Sequence, residues 1–215
     1  MRIGIVTDIH DEVSLLAAAL RKLRSEGVDA IVSLGDTTDF HGGSNHAWEV
    51  AARLRDAGVV GVWGNHDFGL CRDVPLEVLD DPDPAALAYY ATFQPRLSLA
   101  GCHFTHVEPW LNPDDALDLW YFDGPPDSPE KLARSFAAVP ESQMFLGHFH
   151  RWLAGSAAGV SPWSGDAPLT FHPADRYLVV VAPIFNGFSP CSIPTSVFST
   201  RIGRHEAHPR HHPAE

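Results

Sequence analysis

The chain has 215 residues, of which 45% are hydrophobic and 20% are charged, and its formal net charge at pH 7 is −12. A chain of this length and composition can bury a full hydrophobic core as one domain, which excludes the disordered and fibrous classes. The strong negative charge repels polyanions, so we expect neither duplex nucleic acid nor an anionic membrane among its partners.

The three cysteines, Cys71, Cys102 and Cys191, are widely spaced and form no Cys-x-x-Cys pair. They indicate neither a disulfide framework nor a zinc finger, and they fit a reducing compartment. The apolar run at the N-terminus is too short for a signal peptide, and no other run approaches the roughly 18 residues needed to span a bilayer. We therefore expect a cytoplasmic protein.

The first third of the chain alternates strands with helices. Residues 2–7 form an apolar run that stops at Asp8, and apolar residues then recur at helical spacing from Val13 to Leu23. The unit repeats as a strand over 30–34, a helix over 45–57 and a strand over 59–63. Such alternation predicts a parallel sheet with right-handed crossovers, in which functional groups gather where the strands end.

The pattern beyond residue 68 is less regular. It predicts helices near 85–93 and 129–138 and strands over 100–105 and from Gln143 to Leu146. The runs 177–182 and 196–200 lie between Pro/Gly turns without helices and predict a second sheet packed on the first. We expect a single domain over 1–204, followed by a disordered, histidine-rich tail at 205–215.

A long loop over 107–128 carries four aromatic side chains: Trp110, Trp120, Tyr121 and Phe122. Loops of this length in compact domains are usually functional or poorly ordered. The aromatic rings could stack a nucleobase or wall an apolar leaving group, or they could form a small satellite core under the loop. We favour the satellite core.

Five separated clusters of potential metal ligands each begin where a predicted strand stops. They are Asp8-Ile9-His10, Gly35-Asp36, Gly64-Asn65-His66-Asp67, His106 and Gly147-His148-Phe149-His150. Each cluster alone has a purely structural interpretation as a helix cap, a turn or a buried core histidine. The joint pattern, in this order from residue 8 to residue 150, resembles the calcineurin-like metallophosphoesterases.

This resemblance implies a four-layer α/β/β/α sandwich, an α/β fold with two mixed β-sheets flanked by helices. It also implies two divalent metal ions bridged by Asp36. The ligands of the first ion would be Asp8, His10, Asp36 and His150, and those of the second would be Asp36, Asn65, His106 and His148. Because the set has no thiolate, it favours Mn, Fe, Co or Zn without selecting among them.

The resemblance further implies in-line attack on phosphorus by a hydroxide that bridges the two ions. His66 would stabilise the transition state and protonate the leaving oxygen, and Asp67 would orient His66. Glycine before Asp36, before Asn65 and before His148 fits the sharp turns that bring short side chains to an ion.

The sequence departs from the family pattern at two positions. Val107 follows His106 where small members of the family have glycine, and His103 lies three residues earlier. We assign His106 because a strand from Gly101 would end there, and His103 is the alternative ligand.

The second departure is the absence of an arginine just after Asp36, which makes a Ser/Thr protein phosphatase less favoured. Arg72 could supply that charge to the phosphate, although a surface arginine is the simpler interpretation. We interpret Asp39 as a turn or helix-capping residue. The predicted substrate-binding residues are Asn65, His66, Arg72 and Trp110.

These observations predict a phosphodiesterase or phosphomonoesterase that acts on a small phosphate ester, with nucleotides among the candidates. A scaffold that keeps the fold but not the activity is the alternative, although such scaffolds typically lose ligands or the catalytic histidine. A metal-storage protein is a third interpretation, but it would not need His66. The sequence does not indicate the oligomeric state.

Overall fold

The computed structural model describes residues 1–39, 46–72, 83–161, 163–165, 168–185, 191–194 and 199–200. The predicted tail at 205–215 lies outside these residues, and the domain boundary at 204 stays a prediction. Within the described ranges, no helix is both long enough and apolar enough to cross a membrane.

The elements follow each other as the alternation predicts in the first third of the chain and less regularly afterwards. The strands are β1 (Arg2–Val6), β2 (Ala30–Ser33), β3 (Val60–Gly61), β4 (Leu97–Leu99), β5 (Cys102–Thr105), β6 (Gln143–Leu146), β7 (Leu153–Ser156), β8 (Gly159–Ser161), β9 (Leu169–Thr170), β10 (Tyr177–Val180), β11 (Cys191–Pro194) and β12 (Ser199–Thr200). The helices are α1 (Val13–Ser25), α2 (Ala47–Asp56), α3 (Phe68–Cys71), α4 (Pro84–Tyr90), α5 (Ala116–Leu119) and α6 (Pro129–Ala138).

Two mixed sheets form the centre of the fold. The first has the order β11-β1-β2-β3, with β1, β2 and β3 parallel and β11 antiparallel to β1. The second has the order β4-β5-β6-β10-β7-β8, in which β5, β6 and β10 are parallel and β4, β7 and β8 are antiparallel to their neighbours. Strands β9 and β12 form a separate antiparallel pair.

Side chains alternate between the two faces of β1 and so define the layers. Ile3 and Ile5 belong to the core between the sheets, together with Phe104 and Phe145 of the second sheet. Gly4 faces α1 so closely that a Cβ there would lie 2.8 Å from Leu23 Cδ1.

Helices cover the outer face of each sheet. The first core cluster joins Val6 of β1 to buried residues of α1, α2 and α4, namely Leu16, Ala19, Leu20, Leu23, Val50, Ala51, Leu54, Ala86, Tyr89 and Tyr90. On the second sheet, Leu132 of α6 packs with Leu146, Leu178 and Val180. The four-layer α/β/β/α sandwich predicted from the sequence is therefore confirmed.

The second sheet begins earlier in the chain than predicted. Ala100 (φ 52°) and Gly101 (φ 80°) form a two-residue turn between β4 and β5, where the sequence predicted one strand over 100–105. Positive φ at both central residues gives the turn that closes a tight hairpin, but Ala-Gly is a weaker signal for it than Asn-Gly. The last third also divides between the sheets, because β11 joins the first one.

Candidate active site

The loops that follow β1, β2 and β3 of the first sheet and β5 and β6 of the second converge at one end of the two sheets. They carry the predicted ligands Asp8, His10, Asp36, Asn65, His106, His148 and His150, which we call the ligand floor. Backbone hydrogen bonds join the loops to one another, from Asp8 N to Gly35 O (3.1 Å), from Ile9 N to Asp36 O (2.7 Å) and from Gly147 N to His106 O (3.1 Å). The floor is thus fixed by the sheets rather than by free loops.

A first group of potential ligand atoms comes from Asp8, His10, Asp36 and His150, and these atoms all lie within 4.8 Å of one another. His150 Nε2 is 3.2 Å from Asp8 Oδ1, and His10 Nε2 is 3.8 Å from Asp36 Oδ2. Among the described residues, His10 Nε2 is buried without a hydrogen-bond partner. Coordination to a cation would satisfy a buried nitrogen of this kind.

A second group joins Asp36 to His106 and His148, again with ligand atoms within 4.8 Å of one another. Asn65 belongs with them, because its Oδ1 is 3.0 Å from His106 Nε2 and 3.0 Å from His148 Nδ1. Asp36 is therefore the residue common to both groups.

The structure places His106, and not His103, in this second group. His106 is completely buried, and its Nδ1 donates to Leu34 O at 2.7 Å. His103 instead lies 3.8 Å from Glu141 Oε2. In the neutral tautomer that the Leu34 contact selects, His106 Nε2 carries a lone pair and faces Asp36 Oδ2 at 3.3 Å.

In that tautomer the two facing lone pairs repel each other, and either a proton on Nε2 or a metal ion between the two atoms removes the repulsion. Burial alone would lower the pKa of His106, but attraction to Asp36 and Asp8, together with the hydrogen bonds to Asp36 and Leu34, outweighs burial and raises that pKa to about 9. Burial lowers the pKa of His148 to about 4, with repulsion from His106 adding to the effect. The acceptor atoms around Asp36 thus form a strongly negative site, in which a bound proton or metal ion reduces the repulsion between them.

The backbone of the floor is strained at most of its ligand residues. Positive φ angles in the left-handed region occur at Asp8 (47°), His10 (44°), Asp36 (50°), His148 (70°) and His150 (49°). Each such conformation costs a non-glycine residue roughly 1 to 3 kcal/mol and persists only where surrounding structure imposes it. Strain of this density is typical of functional sites.

Two glycines of the motifs are explained by close approach. A Cβ at Gly64 would lie 2.1 Å from Asp36 Oδ1, and one at Gly147 would lie 2.2 Å from Thr7 Oγ1 and 2.9 Å from Asp8 Oδ2. All three distances are shorter than a van der Waals contact between carbon and oxygen. The glycines therefore leave the room that the two aspartates occupy.

His66 lies beside the floor, and its carboxylate partner differs from the predicted one. His66 Nδ1 is 2.7 Å from Asp39 Oδ1. Asp67 is completely buried and accepts from Thr37 N and Thr37 Oγ1 (2.8 Å each) and from Gly64 N (2.6 Å).

Asp67 thus connects the loop after β2 to the loop after β3. The carboxylate beside His66, predicted to be that of Asp67, is that of Asp39, which the sequence suggested was a turn or capping residue. Burial, with repulsion from Asp36, raises the pKa of Asp67 to about 6. The sequence feature that could have identified Asp39 is its position three residues after Asp36, which puts a second carboxylate in the same loop.

Two predicted substrate-binding residues have other partners. The Arg72 guanidinium donates to Asp114 Oδ1 and lies 5.4 Å from the centre of the Trp63 ring. The Trp110 ring lies 3.4 Å from the Arg134 guanidinium carbon and 5.7 Å from the Tyr121 ring. None of these partners belongs to the floor.

Other aromatic rings surround the floor. Trp120 lies 5.1 Å from His66, Phe122 lies 5.7 Å from His148, and Phe185 lies 5.1 Å from His10 and 4.9 Å from His150, all between ring centres. We call these three side chains the aromatic rim. The satellite-core interpretation thus fits Trp110 but not Trp120 or Phe122, which are 51% and 62% exposed.

The four layers, with two ligand groups sharing one aspartate at the strand ends, are those of a metallophosphoesterase. Residues 1–163 match the calcineurin-like phosphoesterase superfamily domain, and the chain belongs to this superfamily. The resemblance found in the sequence motifs is thereby confirmed.

Individual similar proteins are distant. The uncharacterized protein MJ0912 of Methanocaldococcus jannaschii is 32% identical over 68 residues, a match that spans 32% of this chain and only 27% of that protein. A metallophosphoesterase from Sphaerobacter thermophilus has a similar structure, with a TM-score of 0.72 and 19% identity over 97% of this chain and 89% of that one.

Two further structures are similar over nearly the whole chain. An archaeal phosphodiesterase gives a TM-score of 0.54 at 14% identity, and the protein TT1561 of Thermus thermophilus gives 0.57 at 12% identity. Each match covers 94% of this chain and 98% of the other. At these identities the similarity supports the fold alone.

Proposed function

We propose that the protein is a phosphoesterase that holds two divalent metal ions and hydrolyses a small phosphodiester or phosphomonoester. The observation that carries the proposal is the sharing of Asp36 by two groups of facing acceptor atoms. Asp8, His10, Asp36 and His150 would hold the first ion. Asp36, Asn65, His106 and His148 would hold the second.

The residues fit such ions by their chemistry. Carboxylate, amide and imidazole donors without thiolate suit Mn, Fe, Co or Zn. A metal-bound imidazole usually donates a hydrogen bond from the ring nitrogen that does not bind the metal. His106 does so, since its Nδ1–H donates to Leu34 O. When bound, the two ions supply an activated water and neutralise charge on the phosphoryl oxygens.

His66 supplies proton transfer at the leaving oxygen. Its Nδ1 is 2.7 Å from Asp39 Oδ1, and this contact holds the ring in one orientation. Its backbone N–H donates to Asp36 Oδ1 at 2.9 Å, which fixes His66 relative to the shared ligand. Asn65 and His66 would therefore contact the phosphoryl group.

The rest of the proposal concerns substrate and location. A net charge of −12 disfavours long polyanions as substrates, so small phosphate esters are the substrate class, with nucleotides among them. The cytoplasmic location and the single domain over 1–204 rest on the sequence. Specificity resides in the loops around the floor rather than in the fold.

A hydrolysis screen tests the proposal. Protein reconstituted with Mn, Fe, Co or Zn is assayed on bis-p-nitrophenyl phosphate, p-nitrophenyl phosphate, cyclic nucleotides and dinucleoside polyphosphates. We expect turnover with at least one ion, and a drop of about 10² to 10⁴-fold in His66→Ala with its metal content unchanged. Metal binding without turnover on any ester would favour the scaffold alternative instead.

A further inference from the structure

The chain segment that carries Trp120 and Phe122 is held in place at both ends. On the N-terminal side, Leu119 is completely buried in the first core cluster. On the C-terminal side, Lys131 Nζ donates to Asp123 Oδ1 (2.6 Å), Asp123 O (3.0 Å) and Gly124 O (3.0 Å). A segment fixed in this way presents its side chains without a large entropic cost on binding.

Between these anchors, aromatic side chains are exposed in succession: Trp120 is 51% exposed, Tyr121 40% and Phe122 62%. Single exposed apolar residues are common on protein surfaces, but a contiguous exposed patch marks a binding surface. Here the patch lies next to the candidate active site, because Trp120 faces His66 and Phe122 faces His148.

The two contacts also define which part of a substrate the patch would meet. His66 is the residue placed to protonate the leaving oxygen, so the group attached to that oxygen extends past His66 towards Trp120, whose ring centre is 5.1 Å away. Flat aromatic groups stack on exposed indole and phenyl rings, whereas sugars and short alkyl chains gain less from them.

We infer that Trp120 and Phe122 form a stacking platform for an aromatic leaving group, such as the base of a nucleotide, and so determine specificity. This inference rests on the proposed phosphoesterase function. It names Trp120 and Phe122 as specificity residues in place of the predicted Trp110, whose ring is covered by Arg134.

The test compares esters that share a leaving oxygen and differ in the presence of a base. Adenosine 5′-phosphate is compared with ribose 5-phosphate, and the methyl diesters of both are compared in the same way, on metal-reconstituted protein. We expect kcat/KM to favour the adenosine esters. In Trp120→Ala this preference should fall about tenfold, with a smaller fall in Phe122→Ala and with Trp120→Phe close to wild type.

Leu117→Ala is the matched control, because it removes an 82% exposed apolar side chain from α5, the helix that directly precedes Trp120, without touching the platform. An unchanged adenosine preference in both alanine variants, or no preference in the wild type, overturns the inference. In either case, hydrolysis of ribose 5-phosphate still supports the proposed phosphoesterase function. If none of the esters is hydrolysed, the dissociation constants of the adenosine and ribose esters for the metal-loaded wild type and variants are compared in the same way.

A second pair separates stacking from simple apolar contact. Benzyl phosphate and cyclohexylmethyl phosphate have leaving groups of similar size and basicity, but only the first is flat. Stacking on Trp120 predicts a preference for benzyl phosphate that is lost in Trp120→Ala. Equal rates for the two esters would contradict it.

Discussion

The ligand floor and the aromatic rim are built in opposite ways. The floor consists of side chains at the ends of strands, joined by backbone hydrogen bonds and strained in the left-handed region. The rim residues Trp120 and Phe122 come from a loop and are largely exposed. Under the proposed function, the comparison assigns the reaction to side chains that both sheets fix and assigns substrate choice to exposed side chains of one surface segment.

The largest effect is expected where both ligand groups meet. Asp36→Asn should lower kcat/KM by about 10³-fold or more and lower the metal content, because the shared carboxylate is worth several kcal/mol to the site. Metal analysis and kinetics on the same samples measure both effects. Asp56→Asn makes the same charge change at a 69% exposed side chain and should behave as wild type. Full activity in Asp36→Asn would sink the two-metal proposal.

A smaller effect is expected from crowding the floor without removing a ligand. An added Cβ at Gly64 would lie 2.1 Å from Asp36 Oδ1, so Gly64→Ala must displace the aspartate or the loop. We expect activity to fall about 100-fold, the typical result of misplacing a catalytic group by about 1 Å. Gly58→Ala is the control, since a Cβ there meets nothing within 4 Å although φ is +69°. Equal activities of the two variants would contradict close approach as the role of Gly64.

Asp39 should act only through His66. Asp39→Asn removes the charge that orients the imidazole, and changes to such supporting partners typically cost about 10 to 100-fold in activity. The same change in a His66→Ala background should have no further effect on kcat. An additive loss in the double variant would show that Asp39 acts independently of His66.

The sequence was informative about the floor because the chemistry of metal binding restricts residue type and spacing. Asp39 escaped prediction since its partner His66 lies 27 residues away and a carboxylate after Gly-Asp also suits a turn. The sequence also did not predict which aromatic residues of the loop face the floor and which pack elsewhere. Whether Trp110 or Trp120 faces the floor depends on how the four-residue helix α5 is anchored, and four residues carry no usable periodicity.

The smallest effect is expected at Arg72, which the sequence offered as a phosphate-binding residue. Its guanidinium pairs with Asp114, and both side chains are more than 40% exposed, so the pair contributes at most about 1 kcal/mol to stability. Arg72→Ala should therefore change kcat/KM for every ester less than about threefold, whereas loss of a direct phosphate contact would cost far more. Asp114→Ala sharpens the test because it frees Arg72 without removing it. A lower KM in Asp114→Ala that is abolished in the double variant would place Arg72 at the phosphate after all, and would extend the determinants of binding beyond the floor.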